Sequence, residues 1–302
     1  MKERELIQQI NRLKKEKNAV ILAHIYQRPE IYQVADFIGD SYGLSERATK
    51  TTAKIIVFCG VDFMAESAYI LNPQKTVLIP NRLAKCPMAA MVDVEGLRKL
   101  KEQYPHAAVV SYVNTTADVK AESTICCTSA NAVKVVNSLK ENETIFVPDS
   151  NLASYVMRHT NKKIIPWSGW CYVHKKFSPE GLSRAKATYL DAKVLVHPEC
   201  IPEVVDLADE VFSTTGMVNY VKQSSAKTFI IATEVGVIEW LKLEFPEKIF
   251  LQAPPGGVCL QMKRITLDLI LASLEKEQFK VIIPEDIRTK AKKALDRMLT
   301  VA

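Results

Sequence analysis

The sequence has no apolar run long enough to cross a bilayer, and residues 1–5 are mostly charged. A transmembrane helix needs about 20 apolar residues, and a secretory signal needs an apolar stretch near the start of the chain. We therefore expect a cytoplasmic protein without a membrane partner. Low-complexity segments and long Pro/Gly linkers are also missing, which predicts units packed firmly against one another.

A strong excess of one charge is missing as well, since 40 basic and 34 acidic residues give a net charge of +6. The basic residues are scattered between acids, a pattern typical of a solvated surface, so no nucleic-acid partner is predicted. A mildly basic balance suits small anionic substrates. The seven cysteines, an odd number without a secretion signal, argue against a disulfide framework.

One layout of polar residues recurs three times along the chain. Each copy has a polar anchor after an apolar run, a hydroxyl residue 17 positions later, and a cysteine 59 or 62 positions after the anchor. The copies are His24, Ser41 and Cys86; Tyr112, Ser129 and Cys171; and His197, Thr214 and Cys259. A repeat of this length predicts three homologous units.

We place the units at 1–87, with an N-terminal helix, at 88–172, and at 173–302, with a C-terminal helical extension. Buried strands alternate with helices in each unit, which predicts an α/β fold of αβα units with short parallel sheets. The repeat predicts a pseudo-threefold axis through a central active-site cavity. An amphipathic helix is predicted at 5–17 and a late strand at 281–283.

The anchors follow strands, and ligands of parallel sheets bind at the carboxyl ends of the strands. The residues two positions after the anchors, Tyr26, Asn114 and Glu199, should face the same cavity. The hydroxyl residues are predicted to stand where helices begin. Each hydroxyl alone is explained by N-capping, whereas three that converge indicate a site for phosphate or carboxylate.

The cysteines of the repeat follow the last strand of each unit. Three thiolates that converge from three loops are a natural ligand set for an iron-sulfur cluster, with one iron left open as a Lewis acid. Zinc is the alternative, because Cys171 and His174 form a C-x-x-H pair, but no second close pair completes that site. The remaining cysteines are predicted to be buried core residues: Cys59, Cys126, Cys127 and Cys200.

Short runs that span nearly the whole chain carry a family resemblance. They are ILAHIYQ at 21–27, DFIGDS at 36–41, GVDFMAE at 60–66, CPMA at 86–89, YVN at 112–114, TSANA at 128–132, VHPEC at 196–200 and ATE at 232–234. Together they resemble the quinolinate synthase A family of de novo NAD biosynthesis. Two residues depart from the family pattern: Ile25 replaces Asn, and Trp170 replaces His before a cysteine. By strand alternation, Ile25 should point away from the cavity.

The resemblance implies condensation of iminoaspartate with dihydroxyacetone phosphate to quinolinate, with loss of phosphate and two waters. It implies a 4Fe-4S cluster on the three repeat cysteines, and a functional link to an aspartate oxidase or dehydrogenase that produces iminoaspartate. It also implies that Tyr26 and Glu199 are the catalytic proton carriers. The substrate-binding residues would be His24, Ser41, Tyr112, Asn114, Ser129, His197 and Thr214.

Glu199 is predicted to be the general base, with a pKa raised by burial beside a bound anion. The competing hypothesis is a non-catalytic binding module. In that case the three units enclose an anionic metabolite and the cysteines are incidental.

Overall fold

The computed structural model describes residues 2–301 and contains three four-stranded sheets flanked by helices. Each strand runs parallel to its neighbours in the sheet. The predicted α/β class with three short parallel sheets is therefore confirmed. No helix within the described residues is both long and apolar enough to cross a membrane.

The three units share one order of eight elements. The first has α1 Glu3–Glu16, β1 Ala19–His24, α2 Pro29–Tyr32, β2 Phe37–Gly39, α3 Ser41–Lys50, β3 Ile55–Cys59, α4 Asp62–Leu71 and β4 Thr76–Leu78. The second has α5 Val94–Gln103, β5 Ala108–Tyr112, α6 Ala117–Ala121, β6 Ile125–Cys127, α7 Ala132–Ser138, β7 Glu143–Val147, α8 Ser150–Met157 and β8 Lys163–Pro166. The third has α9 Pro179–Thr188, β9 Lys193–Val196, α10 Pro202–Val205, β10 Glu210–Val211, α11 Thr214–Gln223, β11 Thr228–Ala232, α12 Val235–Glu244 and β12 Ile249–Gln252.

Strand order is the same in all three sheets: β2-β1-β3-β4, β6-β5-β7-β8 and β10-β9-β11-β12. The second and fourth strands of each unit are therefore the two edges. The inner strands are almost wholly apolar, because helices cover a parallel sheet on both faces. One phenylalanine of each third strand is fully buried: Phe58, Phe146 and Phe229.

Two helices and one strand differ from the sequence-based expectations. Helices α5 and α9 were not predicted, and they show that α1 is the first of three equivalent helices rather than an addition. The predicted strand at 281–283 is wrong. Val281 donates a backbone bond to Val77 at 2.9 Å and Ile79 donates one to Phe279 at 3.2 Å, so the segment forms one antiparallel bridge, between Leu78 and Lys280, and no strand.

The chain continues past the third unit with α13 Leu267–Lys276 and α14 Glu285–Thr300. Helix α13 packs on α1, while α14 packs on α6, β6 and α4, across the seam between the first and second units. Its buried face, which includes Leu295 and Met298, belongs to a core shared by both units. The C-terminal extension thus packs back on the first two units. The predicted unit boundaries and the predicted threefold axis stay predictions.

Candidate active site

A cavity of about 70 Å³ lies where loops from all three units meet. Every site residue predicted from the sequence lines it: His24, Tyr26, Ser41, Cys86, Tyr112, Asn114, Ser129, Cys171, His197, Glu199, Thr214 and Cys259. The fold explains this convergence, because the anchors stand at the carboxyl ends of the inner first strands, while the hydroxyls and cysteines follow the two edge strands.

Two of the anchors are buried histidines held in one tautomer. Nδ1 of His24 accepts the backbone N–H of Tyr26 at 3.1 Å, and Nδ1 of His197 accepts that of Glu199 at 3.3 Å. Burial lowers the pKa of each imidazole to about 3, so both rings are neutral near pH 7. With Nδ1 occupied as an acceptor, the proton is assigned to Nε2, which can donate to an anionic ligand.

A continuous chain of hydrogen bonds links the two proposed proton carriers. The Tyr26 hydroxyl lies 2.9 Å from Oγ1 of Thr233, and the same oxygen lies 2.9 Å from Nε2 of His174. Nδ1 of His174 lies 2.7 Å from Oε2 of Glu199, and the Tyr112 hydroxyl donates to Oε1 of that carboxylate. Protons can therefore be exchanged between a buried phenol and a buried carboxylate without bulk water.

The predicted raised pKa of Glu199 is wrong. Burial does act to raise it, but the attraction of His174 and His197 and the hydrogen bonds from His174 and Tyr112 outweigh burial and lower the pKa to about 2. The sequence argument considered burial and a bound anion only, without these donors. Glu199 is thus a carboxylate near neutral pH, held by two donors.

The two phenols at the ends of the chain keep their protons. Burial raises the pKa of Tyr26 and of Tyr112 well above the usual value, and the charge of Glu199 adds to the effect. A neutral phenol is a hydrogen-bond donor, and it becomes a proton donor only when negative charge develops beside it. Both tyrosines are therefore neutral near pH 7 and act as hydrogen-bond donors.

None of the repeated hydroxyls caps a helix, so the N-capping explanation is wrong. The caps are the preceding residues Asp40 and Ser213, which accept the N–H groups of the third helical residues in α3 and α11. Ser41 and Thr214 are the first helical residues instead. The helix predicted to open at Ser129 begins three residues later, at Ala132. All three residues line the cavity.

The three repeat cysteines are half-buried free thiols that line the cavity. A 3-10 turn begins three residues after each of them: Ala89–Met91, His174–Lys176 and Met262–Arg264. Backbone N–H groups of these turns donate to the sulfurs, although burial still raises the pKa of all three thiols, Cys86 to about 12. Converging sulfurs with N–H donors match the donor set that an iron-sulfur cluster requires.

The other cysteines are confirmed as core residues, each at most 1% exposed: Cys59, Cys126, Cys127 and Cys200. The alternative zinc pair has a third neighbour, since donor atoms of Cys171, His174 and Glu199 lie within 4.8 Å of one another. Both ring nitrogens of His174 already have hydrogen-bond partners, however. A zinc ion there would have to replace a bond of the Tyr26–Glu199 chain.

The two departures from the family pattern lie outside the cavity lining. Ile25 is 3% exposed and packs in the core of the third unit, so it points away from the cavity as expected. The Lys175 ammonium lies over the Trp170 ring, with Nζ 3.6 Å from the ring centroid.

Sequence analysis missed the roles of Thr233 and His174. Thr233 lies within the ATE run, and His174 was considered only as a metal ligand.

The chain matches the family model described as Quinolinate synthetase A protein over residues 8–300. It is 55% identical over 301 residues to the quinolinate synthase of Methanosarcina barkeri, an alignment that covers 100% of this chain and 99% of the relative. The quinolinate synthase of Geobacter metallireducens is 54% identical over 294 residues, 97% of each chain. That of Thermodesulfovibrio yellowstonii is 52% identical over 296 residues, 98% of each chain.

Proposed function

The chain belongs to the quinolinate synthetase A family, and on that premise we propose that it condenses iminoaspartate with dihydroxyacetone phosphate to form quinolinate. The observation that carries the proposal is the hydrogen-bond chain from Tyr26 to Glu199 beside three converging cysteines. A non-catalytic binding module has no need of a proton path between a buried phenol and a buried carboxylate.

The residues around the cavity suit anionic substrates. Neutral His24 and His197 offer Nε2–H donors, and the hydroxyls of Ser41, Ser129 and Thr214 add further donors. Neutral donors bind carboxylate and phosphate without the cost of burying unpaired cations. These five residues would orient the two substrates for carbon–carbon bond formation.

The balanced reaction releases phosphate and two waters, so protons must leave carbon and reach departing oxygens. Glu199 is ionised and can accept a proton that leaves carbon at the Tyr26 end and passes through Thr233 and His174, and the same path in reverse returns that proton to a departing oxygen. Tyr112 holds the second oxygen of Glu199 and so fixes the carboxylate for its bond to His174. The chain of residues thus acts as paired acid and base.

A 4Fe-4S cluster on Cys86, Cys171 and Cys259, when bound, supplies an open iron that acts as a Lewis acid on a leaving hydroxyl. Their loops come from three different units, so cluster binding would also join those units. The predicted link to an iminoaspartate-producing oxidase or dehydrogenase stays a prediction.

The test is anaerobic purification and reconstitution, followed by iron and sulfide counts and a product assay. We expect a brown protein that absorbs at about 400 nm. It should release quinolinate, detected by mass spectrometry, from dihydroxyacetone phosphate and iminoaspartate made in situ from oxaloacetate and ammonia. A Cys200→Ser protein is the control for the choice of cysteines. It should bind as much iron as wild type, because Cys200 lies in the core of the third unit. Bound zinc without iron, or an iron-loaded protein that makes no quinolinate, would contradict the proposal.

A further inference from the structure

The loops that carry the repeat cysteines are anchored by the same backbone bond in each unit. The first N–H of helices α4, α8 and α12 donates to the carbonyl oxygen two residues before the cysteine. The pairs are Asp62 to Ala84 at 2.9 Å, Ser150 to Gly169 at 2.8 Å and Val235 to Gly257 at 2.9 Å. The fourth helix of each unit therefore fixes the approach of its cysteine loop.

A carboxylate completes the anchor in each unit by accepting the backbone N–H of the cysteine itself. Asp62 accepts from Cys86 at 3.2 Å, Asp149 from Cys171 at 3.1 Å and Glu234 from Cys259 at 3.0 Å. We call the backbone bond and the carboxylate bond together the cysteine clamp. Asp149 and Glu234 are fully buried, so their bonds are shielded from competing water.

We propose that Asp62, Asp149 and Glu234 are positioning residues that hold the three cysteine loops in register for one shared metal group. This inference rests on the proposed cluster and adds residues that do not touch it. Each carboxylate fixes the main chain at the ligand, so its loss lets that sulfur move relative to the other two. Mutation of residues that hydrogen-bond to metal ligands typically lowers the affinity for the metal by roughly 10–100-fold.

The carboxylates also accept N–H groups at the start of their helices, so helix capping is the rival explanation. The oxygen atoms used distinguish the two roles. Asp149 gives Oδ1 to the N–H groups of Asn151 and Leu152 and Oδ2 to Cys171. In Asp62, by contrast, Oδ1 alone accepts both the helical N–H of Phe63 and the N–H of Cys86.

An amide in place of the carboxylate therefore has different consequences in different units. Asp149→Asn retains one acceptor oxygen and places an NH₂ group where the other oxygen was. The variant therefore loses either the cap of α8 or the bond to the N–H of Cys171. Asp62→Asn retains the single oxygen that serves both bonds. Asp62→Asn is thus a matched control for Asp149→Asn. Glu234→Gln is the second test variant, although it also weakens the ion pair with Lys263 at 3.5 Å.

The experiment compares full-length reconstituted proteins by the rate at which an iron chelator removes iron. We expect Asp149→Asn and Glu234→Gln to lose iron roughly 10–100-fold faster than wild type, and Asp62→Asn to stay within about threefold. Asp93→Ala removes a side chain that only caps α5, by accepting the N–H of Gly96 at 2.7 Å. It should lower the melting temperature without changing iron loss.

A second readout needs no cluster. Metal-free proteins are alkylated anaerobically, and the rate at each cysteine is followed by peptide mass spectrometry. Asp149→Asn should speed alkylation at Cys171 roughly tenfold and leave Cys86 unchanged, because only one clamp is opened. Wild-type-like rates at Cys171, or equal acceleration at both cysteines, would overturn the positioning role. Absence of iron in wild type would instead defeat the proposed function, and the alkylation result would still stand.

Discussion

The two edges of each sheet both carry loops to the cavity, but they differ in how closely the three units match. At the cysteine edge, the clamp bonds agree within 0.2 Å across the units, and each 3-10 turn begins three residues after the cysteine. At the hydroxyl edge, Ser41 and Thr214 open ten-residue helices, whereas Ser129 precedes a seven-residue helix by three positions.

This difference fits what each edge is proposed to hold. A cluster with three equivalent cysteine ligands requires three equivalent loops, so the cysteine edge keeps its internal symmetry. The two substrates have no such symmetry, and a site for them needs donors at unequal positions. The inner strand ends are also unequal, since they present His24, Tyr112 and His197.

The largest effect should come from the cysteine edge. Serine at Cys86, Cys171 or Cys259 should remove most or all of the iron and the activity, and by a similar extent at each position, because each would supply one of three equal ligands of the proposed cluster. Iron and sulfide counts after reconstitution measure this. Cys59→Ser is the control, since Cys59 is fully buried in a strand. One dispensable cysteine of the three would break the comparison.

A smaller effect is expected between the edges, at Glu199. Glu199→Gln keeps the shape of the side chain but cannot take a proton from His174, so turnover should fall roughly 100-fold or more with iron content unchanged. Steady-state kinetics on the loaded enzyme measure it. If turnover stays within a few-fold while KM rises, Glu199 is a binding group, and Tyr26 is the next candidate for the base.

Tyr26→Phe should lower turnover roughly 10- to 100-fold, because it removes the proton at the end of the chain but keeps the aromatic ring. Tyr32→Phe is the matched control. The Tyr32 hydroxyl donates to the Ile25 carbonyl at 2.8 Å but does not line the cavity, so its loss should cost about 0.5–1.5 kcal/mol of stability and leave turnover unchanged. Near-normal turnover of Tyr26→Phe would assign that tyrosine to packing.

The smallest effects should come from the hydroxyl edge, and they should be unequal. Each loss of a neutral hydroxyl bond should raise KM by roughly 2- to 10-fold. Ser129→Ala should raise it more than Thr214→Ala, because the first N–H groups of the ten-residue α11 would still be available to an anion after the Thr214 hydroxyl is lost. Equal changes in KM would remove the proposed difference between the edges.

The repeat in the sequence predicted the three parallel sheets and the residues that meet in the cavity, because edge strands and inner strands recur at fixed spacing. It did not predict the clamp. Asp149 and Glu234 precede their helices, whereas Asp62 is the first residue of its helix, so the acids are out of register by one position. Their partners are backbone N–H groups, which leave no pattern in the sequence.

The pKa of Glu199 was the other property that the spacing of residues in the sequence could not predict. The sign of the Glu199 pKa shift depends on His174, which lies 25 residues earlier in the chain, and on Tyr112 from another unit. The strand expected at 281–283 failed for a related reason. An apolar run predicts burial, but Ile282 is 78% exposed, and the segment pairs with the edge of β4 only at the bridge between Lys280 and Leu78.

Helix α14 has a consequence for the order of folding during synthesis. Domains generally fold as they emerge, the earliest first. Because α14 follows all three units in the chain yet packs between the first two, the ribosome makes those units before the helix that covers their seam. Until α14 is made, apolar surface shared by the first two units is open to water, and a nascent chain in that state is prone to aggregate.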